Sequence, residues 1–65
     1  MRVYIEKERK TIELERGPQS VAALLEQLGL KRAAVLVAVN GKLVPDDATL
    51  KPKDNIEIFS AISGG

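Results

Sequence analysis

The sequence predicts an α+β domain: a mixed sheet of four or five strands with one main helix packed on one face. Three observations predict it. Two runs near the N-terminus alternate apolar and polar residues, the next run repeats apolar residues at helical spacing, and further strand-like runs follow. One helix cannot cover both faces of such a sheet, so the second face is left to water or to a partner.

Each element has its own signal. "RVYIE" places Val3 and Ile5 on one face and Arg2, Tyr4 and Glu6 on the other. The polar cluster "KERK" reads as a hairpin turn, although it lacks the usual glycine. "TIELER" alternates again and puts Ile12 and Leu14 together. Gly17 and Pro18 then break the strand, and Ser20 is a natural N-cap for "VAALLEQL". Val21, Leu24, Leu25 and Leu28 form one apolar stripe on a helix of about two turns, with Gly29 as its C-cap.

After Lys31-Arg32, the run "AVLVAVN" is almost wholly apolar and β-branched, which suits a strand covered at least partly on both faces. Asn40-Gly41 is the strongest hairpin-turn signal in the chain, and "KLV" is the short return strand, stopped by Pro45. In the polar connection "DDATLKPKD", Leu50 alone reads as a core anchor. "NIEIFSAI" closes the sheet, with Ile56 and Ile58 facing one way and Glu57, Phe59 and Ala61 the other. The first and last strands are expected side by side and parallel, joined by a right-handed crossover through the helix.

The helix is expected on the face carrying Val3, Ile5, Ile12, Leu14, Val37, Val39, Ile56 and Ile58, with Leu24, Leu28, Val37 and Ile58 buried together. The open face then collects Tyr4, Leu36, Ala38 and Phe59. Such residues can simply pair across strands, but Tyr4 and Phe59 are the only two aromatics of the chain and share the uncovered face. Phe59 is therefore the first candidate for partner docking, with Tyr4 and Leu36 behind it.

Composition excludes several classes. Sixty-five residues make one domain, and a chain this size buries only about 60% of its unfolded surface. It has neither cysteine nor histidine, so a disulfide or a structural zinc site is not expected. A net charge of +1 and the scarcity of aromatics argue against nucleic-acid binding. No apolar run approaches the roughly 20 residues of a membrane span and no signal peptide opens the chain, so the cytoplasm is the expected compartment. Asp46-Asp47 reads as a solvated turn, Lys31-Arg32 as a solvated loop, and "VNGK" lacks the glycine spacing of a phosphate loop. No catalytic constellation is present, and the chain is not expected to be an enzyme.

The order of elements, "VAALLEQLGL" in the helix, "VAVNGKLVP" across the hairpin and the terminal "AISGG" together resemble the ubiquitin-like sulfur carriers of ThiS/MoaD type. The resemblance is closest to ThiS, with archaeal ubiquitin-like small modifiers as further relatives, and it covers essentially the whole chain. It implies a single β-grasp domain over residues 1–65 with a slender Gly-Gly tail at about residues 61–65. Many carriers end in Ala-Gly-Gly, whereas here the small Ser63 precedes Gly64 and Gly65.

The resemblance also implies a cycle. Gly65 is adenylated by an activating enzyme of ThiF/MoeB type that uses ATP and magnesium, while the carrier itself binds no cofactor. A sulfur-transferring enzyme converts Gly65 to a thiocarboxylate, and an acceptor synthase takes the sulfur, in thiamine (thiazole) biosynthesis by the closest resemblance. Molybdopterin synthesis, tRNA thiolation and conjugation to target lysines are the alternatives. A plain interaction domain, with Gly64-Gly65 as a linker stub, is the remaining class, and a stop codon directly after Gly65 would remove it.

Overall fold

The computed structural model describes residues 1–61, and within them the apolar periods set each element in turn. Strand β1 (Arg2–Ile5) buries Val3 and Ile5 and pairs antiparallel with β2 (Lys10–Glu13), placing Ile12 opposite Val3. The turn between them is a 3₁₀ turn at Glu6–Glu8, after which Arg9 takes a left-handed conformation at φ 50°. Its N–H donates to the Glu6 carbonyl at 3.0 Å. Arg9 thus fills the position that a glycine would occupy in an easier version of the turn.

Helix α1 (Val21–Leu28) is capped at both ends by the residues expected. The Ser20 hydroxyl accepts from the Ala23 N–H at 3.1 Å. At the other end Gly29 sits at φ 74° and donates to the Glu26 carbonyl, while the Leu30 N–H reaches the Leu25 carbonyl at 2.8 Å. These two bonds are a Schellman motif, and the half-buried Leu30 packs against the same core as Leu25. The first helical N–H groups, which have no partner within a helix, find theirs in the connection before the last strand. Val21 donates to Ala48 at 3.0 Å and Ala22 to Asp46 at 2.8 Å.

A second 3₁₀ turn at Arg32–Ala34 leads into β3 (Val35–Val39), which turns back into β4 (Lys42–Val44). Asn40 and Gly41 adopt φ 53° and φ 86°, as a two-residue primed turn requires. Asn40 does more than turn. Its side-chain carbonyl accepts from the Asn55 N–H, and its amide donates to Asp54, each at 3.0 Å. Asp54 also accepts from the Lys51 N–H at 2.8 Å. That backbone bond, and after it the Asn40 amide, hold the Asp54 carboxyl below the usual carboxylate value.

Strand β5 (Asn55–Ser60) enters the middle of the sheet, whose order is β2-β1-β5-β3-β4. It runs parallel to β1, with Val3 beside Ile56 and Ile5 beside Ile58, and antiparallel to β3. The core between helix and sheet is Val3, Ile5, Val21, Leu24, Leu25, Val37, Leu50, Ile56 and Ile58. Leu50 anchors the connection as expected, 4% exposed. Among the described residues no polar or charged side chain is buried.

One packing expectation is corrected. Leu28 is half-buried, not fully enclosed with Leu24, because as the last residue of α1 it lies at the rim of the core. Ala38 lies on the open face as expected, outside the helix-side core, and is nevertheless only 5% exposed. Its methyl group is short, and the aligned residues Glu57 on β5 and Leu43 on β4 flank it from both sides.

Candidate functional site

The face that α1 leaves uncovered is built by the alternate positions of all five strands. One row crosses the sheet as Leu43, Ala38, Glu57, Tyr4 and Thr11, each aligned with the next across paired strands. The neighbouring row pairs Leu36 of β3 with Phe59 of β5. Leu36 is 49% exposed and Leu43 67%, the only large hydrophobic residues exposed among those described. Tyr4 and Phe59 are half-buried. The sheet therefore brings the three sequence-predicted docking residues to one face, with Leu36 directly beside Phe59 and Tyr4 diagonal to it.

Leu43 was missed by the sequence reading, although the signal was present. A two-residue turn at Asn40-Gly41 fixes the register of the hairpin, and that register sets Leu43 opposite Ala38. Leu43 and Leu36 thus lie on the same uncovered face, two residues apart along the β3 register, beside the half-buried Phe59.

The opposite end of this face is polar. Arg2 holds Glu13 through Nη2 to Oε1 at 2.9 Å, with both side chains well exposed, so the pair adds little to stability. The apolar end is the one beside the chain's exit. The last described tie is the Ala61 N–H donating to the Ala34 carbonyl at 2.9 Å, two residues beyond Phe59. Ser63, Gly64 and Gly65, the tail residues singled out in the sequence, lie outside the described residues.

The remaining polar motifs resolve into surface structure. Arg32 and Asp46 pair at 3.0 Å, both partly exposed, and so tie the loop before β3 to the loop before Leu50. Among the described residues no group of three or more acidic side chains converges as a metal site. No described helix is long and apolar enough to cross a membrane. Chemically the described body offers an exposed apolar face, and among the described residues no metal-binding group of acidic side chains accompanies it.

A mixed five-stranded sheet under one helix, with its first and last strands parallel and central, is the β-grasp architecture of ubiquitin-like proteins. The model of the ThiS family matches residues 2–65, and the chain belongs to that family of small sulfur carriers, which are not enzymes. It is also 35% identical over 58 residues to the sulfur carrier protein TtuB of Thermus thermophilus, an alignment spanning 89% of this chain and 88% of the relative.

Proposed function

We propose that this protein carries sulfur on the carboxyl group of Gly65, taking it up through activation by an adenylating enzyme of ThiF/MoeB type. The observation that carries the reading is the placement of an exposed apolar patch beside the root of a Gly-Gly tail. A partner can grip the patch while the slender tail enters its active site.

The chemistry starts from a poor electrophile. The Gly65 carboxylate attacks the α-phosphorus of ATP, held with magnesium by the partner, and pyrophosphate leaves. The acyl adenylate then loses AMP to a sulfur nucleophile from the sulfur-transferring enzyme. A persulfide gives an acyl persulfide, and a second thiol on a partner cleaves it to the thiocarboxylate, leaving a disulfide behind. Glycine at both terminal positions presents no side chain to the walls of the adenylation site. The chain contains no cysteine that could divert the sulfur. The acceptor in our reading is the synthase that forms the thiazole of thiamine, and the cycle runs in the cytoplasm.

Intact mass of the protein isolated from its native cells tests this reading. We expect a fraction in which one sulfur replaces one oxygen at the C-terminus. A branched conjugate to lysine would replace the carrier reading with protein modification, and an unchanged carboxylate under sulfur-replete growth would sink both.

The docking half is tested separately. Phe59→Ala should weaken the complex with the activating enzyme by about tenfold or more, the effect of losing a central aromatic anchor. The loss should appear in the dissociation rate, while the melting temperature stays close to that of the wild type. Unchanged affinity would return Phe59 to a purely cross-strand role.

A further inference from the structure

At the end of the sheet where β5 leads into the tail, a cleft of about 170 Å³ opens between three separate parts of the chain. These are the end of β1 with the 3₁₀ turn at Glu6–Glu8, the stretch from the Schellman end of α1 to the start of β3, and the end of β5. Its floor is apolar, made by Ile5, Leu30, Ala34, Val35, Ile58 and Phe59, all buried or half-buried. Its rim carries the exposed Lys7 and Lys31, with Glu8 and Ser60.

Size, charge and position together select an occupant. An apolar cavity of about 150 Å³ accommodates one benzene ring, so the cleft has room for one aromatic or branched aliphatic side chain. Among the described residues neither Lys7 nor Lys31 enters an ion pair, whereas the adjacent Arg32 is already committed to Asp46. The two lysines outweigh Glu8 at the rim. An apolar floor suits a side chain and not a phosphate, while the rim suits carboxylates. The cleft also adjoins the point from which the tail departs, since Ser60 lines it and Ala61 is bonded to Ala34.

We propose that this cleft seats one aromatic or branched aliphatic side chain of the activating enzyme, flanked there by aspartate or glutamate that faces Lys7 and Lys31. The inference rests on the activation reading above and adds a second grip, on the other side of the end of β5 from Leu36, with Phe59 bordering both. From Ser60 to Gly65 is five residues, at most roughly 17 Å of extended chain. A partner side chain lodged in the cleft therefore fixes the root of the tail within that reach of the adenylation site.

The test is ATP–pyrophosphate exchange by the cognate ThiF/MoeB-type enzyme, with the carrier as the varied substrate. Ala34→Leu fills the cleft from its floor and should raise the KM for the carrier about tenfold with kcat unchanged, the mark of lost uniform binding. Lys7→Glu combined with Lys31→Glu alters only exposed side chains, and should raise KM by an amount that shrinks as salt is added. Thermal melts establish that each variant is folded. An unchanged KM in folded Ala34→Leu overturns the cleft as an anchor. If that variant does not fold, the double lysine variant decides, and an unchanged KM there overturns it equally. No exchange with the wild-type chain would overturn the activation reading and this inference with it, whereas exchange with unaltered KM in the variants overturns this inference alone.

Discussion

Ile58→Ala and Leu24→Ala are each expected to lower the unfolding free energy by about 2–5 kcal/mol, the cost of removing buried methyl groups and leaving a cavity. Ile58 is 2% exposed on the central strand, between Ile5 of β1 and Val37 of β3, and Leu24 is fully enclosed on the helix above. At the usual 0.05–0.15 kcal/mol per residue, roughly, a domain of 65 residues has only about 3–10 kcal/mol to lose. Each substitution therefore removes a large share of the total, and the melting temperature should fall by about 10 °C or more. Leu43→Ala is the matched control. At 67% exposure it should change stability by less than about 0.5 kcal/mol. Denaturant unfolding measures all three, and a loss below about 1 kcal/mol at both core positions would mean that the helix does not cover this face.

The same contrast separates what the sequence reveals from what it conceals. Strand alternation, the Ser20 and Gly29 caps and the Asn40-Gly41 turn are signals carried by a few adjacent residues, and each appears in the structure where it was expected. The open face followed from the same alternation, so Tyr4, Leu36 and Phe59 were legible as neighbours before any pairing was known. Ala38 lies on that face as expected, but its burial was not legible, because Glu57 and Leu43 flank it from two other strands and only register places them there.

Arg9 concealed its turn in a different way. A non-glycine residue at φ 50° leaves no composition signal, and the conformation is held by the 3₁₀ turn before it and the strand pairing after it. The bonds from Val21 and Ala22 to residues 48 and 46 were equally invisible, since they join segments more than twenty residues apart. The cleft beside the tail is the extreme case. Three segments distant in sequence meet to form it, and none carries a recognisable motif on its own.

Deleting Gly65 is expected to abolish adenylation while leaving the melting temperature almost unmoved. The described core lies within residues 3–58, and the last described backbone tie is that of Ala61 to Ala34, so changes at positions 64 and 65 keep every residue of that core. The functional effect is geometric. Losing one residue draws the carboxylate back by about 3.5 Å, and reacting atoms must lie within about 3–3.5 Å of one another in a near-attack arrangement. A carboxylate displaced by a full residue is out of reach of the α-phosphorus even when the body docks normally. Gly64→Phe keeps the carboxylate in place but adds a side chain that a channel shaped for bare backbone must reject. The two variants therefore fail for separate reasons, reach in one and width in the other, and both should still compete with the wild type for the activating enzyme through the Leu36–Phe59 patch. Pyrophosphate exchange reads the first loss, and competition binding reads the retained docking. A Gly65-deleted protein that formed the acyl adenylate at the normal rate would remove Gly65 from the chemistry, and the apolar patch would then need a partner of another kind.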